Sequence, residues 1–180
     1  MAEKSILLIG NGPSVLDYEI GKKIDLFPTI CRFNAFKIKG YEKFVGAKTN
    51  MWVTCLGKED VIKRQKEFEK IYFPLWQKTY LELCKIIPNS ECFTEEVYKN
   101  AGKILGKYFY PSSGLLATMY FLSKNIKIYI HGFDFFQKER HHYCDSQTVG
   151  KNHNPKMEKE AFQKLLEENK IWKFINYDIQ

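Results

Sequence analysis

The stretch KSILLIGNGPS, residues 4–14, decides the fold. Residues 4–9 form an apolar, β-prone run without polar alternation, the pattern of a strand buried on both faces. Gly10 and Gly12 then mark a tight turn. Such a turn lets backbone N–H groups approach a phosphate or nucleoside closely. A plain β–α turn with no ligand fits these few residues equally well. Working outward, residues 14–24 read as a helix with Ser14 near its start, and residues 29–36 and 49–55 as strands. Three helices are predicted over 58–70, 75–86 and 94–108, the last opening with Thr94-Glu95-Glu96, a capping residue followed by first-turn acids. Residues 112–124 form an apolar helix, 126–133 a strong strand, 155–169 an amphipathic helix and 171–177 a final strand. Strands alternating with helices predict an α/β class fold: one Rossmann-like domain over residues 1–180, with a mostly parallel central sheet flanked by helices. Ligands of such sheets bind beyond the carboxyl ends of the strands.

Composition narrows the function. The chain has 180 residues, 44% hydrophobic and 27% charged, which suffices for an ordinary packed core. The net charge of +7 fits an anionic ligand, but arginine is scarce, with Arg32, Arg64 and Arg140 alone. Nucleic-acid readers lean on arginine, so that class is disfavoured. The lysines are scattered and many lie beside acids, as in residues 58–70, the pattern of a solvated surface. After Met1-Ala2-Glu3-Lys4 the chain enters its first strand with no leader-like segment, and the apolar run 114–122 is about half of a membrane span. Five cysteines without C-x-x-C spacing read as reduced thiols of a cytoplasmic protein without a zinc framework. Residues 71–81 (IYFPLWQKTYL) are read as part of a buried core helix.

Several familiar chemistries are disfavoured. The glycine turn has Val15 where a dinucleotide fingerprint has glycine, and the second strand ends in Arg32-Phe33-Asn34 where a ribose-binding acid is expected. Gly46-Ala47-Lys48-Thr49 lacks the glycines of a phosphate-binding P-loop. There is no D-x-D pair, no H-E-x-x-H and no G-x-S-x-G, which argues against a metal-bridged diphosphate, a zinc site and a serine hydrolase. What remains is a hydroxyl-rich helix start, Pro111-Ser112-Ser113-Gly114, suited to an anion or a pyrimidine edge. An ordinary helix cap fits that start as well. All four histidines, His131, His141, His142 and His153, also fall within one 23-residue stretch. Histidine is the side chain suited to proton transfer near neutral pH. His131, inside an apolar strand, reads as a satisfied core residue.

Taken in order, these clusters resemble the sialyltransferases of glycosyltransferase family 29. The family's large motif is matched by Gly10-Asn11-Gly12, by Arg32-Phe33-Asn34, and by Gly46 with Lys48-Thr49. Its small motif is matched by Pro111-Ser112-Ser113-Gly114 and by Gly132-Phe133 after the next strand. Its H-Y-x-[DE] motif is matched by His142-Tyr143-Cys144-Asp145, and its H-x4-E motif by His153 and Glu158. The GNGPS turn and the GFDFF segment are also similar to family 42 sialyltransferases. The anchor and the disulfide between large and small motifs of the animal Golgi members have no counterpart here, so the resemblance implies a small cytoplasmic enzyme of bacterial type.

The resemblance implies the fold of the family, a GT-A variant, and a metal-independent, inverting transfer of sialic acid or a related nonulosonate from a CMP-sugar to a saccharide hydroxyl. In the donor site, Gly10, Asn11, Gly12 and Asn34 would hold ribose and phosphate. Ser112, Ser113 and Gly114 would hold cytidine and carboxylate groups, with Gly132 beneath the nucleotide and Tyr143 beside it. His142 would sit on the CMP phosphate, and His153 would be the general base. Glu158 and Arg32 would orient the site. No metal or other cofactor is expected. The implied partners are the CMP-sugar, a saccharide or glycolipid acceptor, a peripheral contact at the inner membrane and a second copy of the chain, with no nucleic acid. A CMP-Kdo or other CMP-sugar transferase, and a nucleotide-binding or CMP-sugar-hydrolysing protein without an acceptor, are the alternatives. The acceptor pocket is expected in residues 56–110 and 134–152, and the +7 charge in a site for the anionic donor.

Overall fold

The computed structural model describes residues 4–74, 77–105, 110–135, 142–144 and 153–178. Seven strands form one sheet: β1 (Ser5–Ile9), β2 (Ile30–Phe33), β3 (Met51–Val53), β4 (Lys70–Phe73), β5 (Ser90–Cys92), β6 (Lys127–His131) and β7 (Ile171–Lys173). Their order is β5-β4-β3-β2-β1-β6-β7 and every pairing is parallel. β1 lies in the interior of the sheet, with Ile9 level with Arg32 of β2 on one side and His131 of β6 on the other.

The alternation of side chains along β1 divides the core. Ile6 and Leu8 enter a cluster with Cys31, Phe33, Val53 and Tyr72, covered by α5 (Glu95–Leu105), α6 (Ser113–Ser123) and α7 (Pro155–Glu167). Leu7 and Ile9 face the opposite way, onto Val15, Ile24, Phe27, Tyr143 and Phe174. Farther along that second face, Trp52, Ile71 and Phe73 pack with Phe68, Tyr80 and Leu83. α6 is buried on several sides, through Leu115, Leu116, Ala117, Thr118, Tyr120 and Phe121, which explains its nearly uniform apolar sequence.

Two strands escape sequence reading. The helix expected over 58–70 ends early: α3 (Lys58–Arg64) is followed by a 3-10 turn, Gln65–Glu67, and Lys70 already opens β4. Residues 71–81 are therefore not one core helix, because Ile71, Tyr72 and Phe73 pair with β3 and β5. α4 begins at Lys78 and ends at Ile86. The edge strand β5 has three half-buried residues, Ser90, Glu91 and Cys92, with no apolar alternation to betray it. The described residues of the region 56–110, expected to supply acceptor loops, hold an edge of the sheet and its covering helices.

The helix expected over 14–24 is also broken. It becomes a 3-10 turn, Pro13–Leu16, and a five-residue α1 (Gly21–Asp25). Gly21 explains the break in packing terms. A Cβ there would lie 1.9 Å from the Glu42 carbonyl oxygen at the start of α2 (Glu42–Val45), so the chain pivots against α2 at a residue with no side chain. The final expected strand shortens to β7, followed by a 3-10 turn at Phe174–Asn176.

Candidate functional site

From β1 the chain proceeds toward β2, and β6 lies on the other side of β1. Connections leaving in opposite directions open a crevice at the carboxyl ends of these two strands, the topological switch point. An open cleft lies there. Gly10, Asn11 and Gly12 line it from β1, Phe33 and Asn34 from β2, and Gly132, Phe133 and Asp134 from β6. Ser112, Ser113 and Gly114 line it from the start of α6, Glu158 from α7, and His142 from the preceding segment.

The floor is made of backbone packed too closely for side chains. Gly10 N–H donates to the His131 carbonyl at 2.8 Å, and Gly12 N–H to the Gly132 carbonyl at 3.0 Å. A Cβ on Gly10 would stand 2.4 Å from the Gly132 carbonyl oxygen. Gly132 has φ +73°, and a Cβ there would stand 2.2 Å from Val15 Cγ1. Close approach and a left-handed backbone together account for this glycine. Gly114 lies against the Phe133 ring, which a Cβ would meet at 2.7 Å.

The asparagines are held by backbone partners. Asn11 Nδ2 donates to the Phe33 carbonyl at 3.0 Å, tying the first turn to the end of β2. Asn34 sits at φ +48°, and its Oδ1 accepts from the Cys55 N–H at 3.0 Å and from the Cys55 thiol at 3.2 Å. Two donors on the oxygen fix the amide orientation, so the NH2 is the group Asn34 can offer to the cleft.

At the helix start, Ser112 Oγ caps α6 by accepting from Leu115 N–H at 3.1 Å. The same hydroxyl donates to Glu158 Oε2 at 2.6 Å, and Ser112 N–H donates to Glu158 Oε1 at 2.7 Å. Glu158 is buried, 4% exposed, and burial pushes its pKa up while the Ser112 bonds and the charge of His153 pull the other way. It comes from the first turn of α7, whose cap is Asn154: Oδ1 accepts from Met157 N–H at 3.1 Å, with Pro155 in first position. The hydroxyl of Ser112 is thus spent inside the protein, and Ser113 and Gly114 remain as the groups at this helix start to meet a ligand.

His142 lines the cleft. Its neighbour Tyr143, expected beside the nucleotide, is instead buried at 1% exposure and is not among the lining residues. Tyr143 N–H donates to the Asn11 carbonyl at 2.9 Å, and its hydroxyl both donates to the Lys37 carbonyl and accepts from Lys37 N–H. Burial raises its pKa to about 12, so it stays a neutral pin that fixes His142 over the first turn. His141 and Asp145 lie outside the described residues.

His153 is not among the residues that line the cleft. Its Nδ1 is 2.9 Å from the Tyr110 carbonyl oxygen. A carbonyl only accepts, so Nδ1 carries the hydrogen and a neutral ring keeps its lone pair on Nε2. Arg32 is likewise outside the lining. It is 1% exposed, and its guanidinium donates to Thr49 Oγ1 at 2.9 Å and to the carbonyls of Val45, Gly46 and Lys48 at 2.5, 3.4 and 3.1 Å. Burial lowers its pKa to about 10. Asp25 secures the same turn by accepting from the N–H groups of Ala47 and Lys48. The Gly46, Lys48 and Thr49 positions of the sequence pattern therefore form a turn wrapped around Arg32.

Two further expectations need correction. His131 is not satisfied: its Nε2 is buried without a hydrogen-bond partner among the described residues, and burial lowers its pKa. The positive charge does not gather at the cleft, since no lysine or arginine lines it among the described residues. Asp134 is a cleft residue that no motif in the sequence singles out. It lines the cleft and its Oδ2 accepts from Ser14 N–H at 2.7 Å, a contact across 120 residues that local pattern could not show. Among the described residues, no three His, Cys, Asp or Glu side chains gather as a metal site would need, and no helix is long and apolar enough to cross a membrane.

A parallel α/β sheet with a glycine-floored cleft at its switch point defines the class. Residues 4–92, just under half of the chain, match the model of glycosyltransferase family 29 (sialyltransferase). Over 64 residues it is 31% identical to the CMP-N-acetylneuraminate-beta-1,4-galactoside alpha-2,3-sialyltransferases of Rattus norvegicus and Homo sapiens. That stretch covers 36% of this chain and 17% and 16% of those relatives, about a sixth of their length. The fold is similar to that of a mammalian sialyltransferase solved in complex with Gal-beta-1-3GalNAc-ortho-nitrophenol. The TM-score is 0.72 at 18% identity, covering 97% of this chain and 70% of that one.

Proposed function

We propose that the cleft binds a CMP-sugar and that the chain transfers sialic acid, or a related nonulosonate, from it to a saccharide hydroxyl. The observation that carries this reading is convergence. Gly10-Asn11-Gly12, Asn34, Ser112-Ser113-Gly114, Gly132, His142 and Glu158 come from segments far apart in sequence and line one cleft. The CMP-N-acetylneuraminate and galactoside specificity named for the relatives supports the donor class and a galactoside as the acceptor to try first.

In this reading the α6 N-terminus and His142 meet the leaving CMP. Departure of a sialyl group develops positive charge on the sugar and negative charge on the phosphate. Donors at a helix start and a protonated imidazole stabilise the phosphate without a metal. The ring faces of Phe33 and Phe133, 5.9 Å apart edge to face, supply an apolar wall. His153 Nε2 takes the proton of the incoming hydroxyl, with Nδ1–H anchored on Tyr110, and attack opposite the leaving group inverts the anomeric centre. Glu158 positions Ser112 and, through it, the helix start, and Tyr143 positions His142.

The test is release of CMP from CMP-sialic acid with and without a β-galactoside. Faster turnover with the galactoside, together with a sialylated product, is expected. Turnover indifferent to the acceptor would favour a CMP-sugar hydrolase, and turnover of CMP-Kdo alone would change the donor.

A further inference from the structure

Two carboxylates line the cleft among the described residues, Asp134 and Glu158, and they are not equivalent. Glu158 commits both oxygens to Ser112. Asp134 commits one, Oδ2, to Ser14 N–H at the head of the Pro13–Leu16 turn. No described residue donates a hydrogen bond to its Oδ1, and that oxygen is not sealed away as His131 Nε2 is. The carboxylate is also held in place. It lies so close over Gly12 that a Cβ there would be 2.6 Å from both Cγ and Oδ2.

A fixed carboxylate with an open oxygen is an unfavourable neighbour for a phosphate. No lysine or arginine lines the cleft among the described residues, and the one imidazole that does, His142, is assigned to the phosphate in the reading above. The carboxylate is favourable only where the ligand brings neutral hydrogen-bond donors. In doubly wound folds a carboxylate commonly accepts from ribose hydroxyls, and it stands at the end of the second strand. Here that place is taken by Asn34, and the carboxylate arrives from the other side of β1, three residues beyond the end of β6.

We propose that Asp134 is the ribose-binding residue of this cleft, its Oδ1 accepting from the 2′,3′-hydroxyl pair of the nucleotide. The proposal rests on the nucleotide reading above and adds to it a residue, a ligand group and a preference for ribonucleotides.

The experiment is calorimetric titration of the wild type and Asp134→Asn with CMP, 2′-deoxy-CMP, 3′-deoxy-CMP and UMP. Asparagine keeps an oxygen for Ser14 N–H and replaces the open acceptor with an NH2 donor, so an unchanged melting temperature is expected. The wild type should lose about tenfold in affinity or more when a hydroxyl is removed, the size of a hydrogen bond to a charged group. Asp134→Asn should bind CMP and its deoxy analogues within about twofold of one another. A wild type indifferent to both deoxy analogues overturns the proposal without recourse to any variant. Asp134→Asn retaining the ribose preference overturns it while leaving CMP binding intact. So does a variant that loses its CMP-over-UMP preference instead, since the carboxylate would then read the base amino group. A wild type that binds none of these nucleotides overturns the nucleotide reading itself and this proposal with it.

Discussion

Both carboxylate oxygens of Glu158 are held by one residue, Ser112: Oε1 by its N–H at 2.7 Å and Oε2 by its hydroxyl at 2.6 Å. This clamp joins the first turn of α7 to the cap of α6, so the segment carrying His153 and the helix start lining the cleft are fixed to each other. Glu158→Ala strips two donors of a buried acceptor, and a loss of about 1–3 kcal/mol is expected. Denaturant unfolding measures it. Unaltered stability would mean that Ser112 finds equivalent partners elsewhere.

The same residue gives a pH signature opposite in sign to that of His131. Burial raises Glu158 above its ordinary value of 4.5. The folded state then holds the proton more tightly than the unfolded state, and the stability so contributed is lost as pH rises through the folded pKa. Burial lowers His131 below 6.5. Its contribution is complete above 6.5 and is lost as pH falls through the folded pKa. In midpoints of unfolding followed against pH, Glu158→Gln should flatten the decline above 4.5 and His131→Leu the decline below 6.5. Curves that overlay the wild type would refute these assignments.

The glycine floor is tested by a pair of substitutions that differ in what they strike. Gly132→Ala meets the Val15 side chain at 2.2 Å at a φ of +73°, whereas Gly10→Ala meets the Gly132 carbonyl oxygen at 2.4 Å. Each should destabilise by about 1–3 kcal/mol or more. Val15→Ala should recover part of the first loss and none of the second, because a side chain can be trimmed and a carbonyl cannot. Equal recovery in the double-mutant cycle would contradict this geometry.

His153→Ala should lower kcat by roughly 10²–10⁴-fold, the usual share of a general base, and leave CMP affinity near that of the wild type. His142→Ala should weaken CMP binding as well as slow transfer, since His142 lines the cleft. Transfer should continue in excess chelator. Wild-type turnover by His153→Ala would remove the base from the mechanism, and chelator-sensitive transfer would require a metal.

Much of the cleft is legible in the sequence. Gly10, Asn11, Gly12, Asn34, Ser113, Gly114, Gly132 and His142 were marked by turns, helix starts and motif order, and all of them line the cleft. Tyr143 was marked by the same patterns as a ligand contact yet turns inward and pins a segment, and Arg32, expected to orient the site, fills a turn. A motif records that a residue type is needed at a place and is silent on whether it faces the ligand or the scaffold. The short strands β4 and β5 were invisible because three or four residues carry too little periodicity, and pairing with β3 and with each other decides them.

The sequence by itself determined the buried strand at residues 5–9, the glycine turn after it, the α/β alternation and the family the chain resembles. These rest on local properties: apolar runs, residues that permit tight turns, and helix caps. Only the tertiary structure decided that Glu158 grips Ser112, that Asp134 reaches over Gly12 with one oxygen uncommitted, and that His131 is buried with Nε2 unpaired. Ser14 and Asp134 lie 120 residues apart, and Ser112 and Glu158 lie 46 apart. Such contacts exist because parallel strands bring the ends of distant segments to one edge of a sheet, where the partners of each polar atom are set by packing in three dimensions.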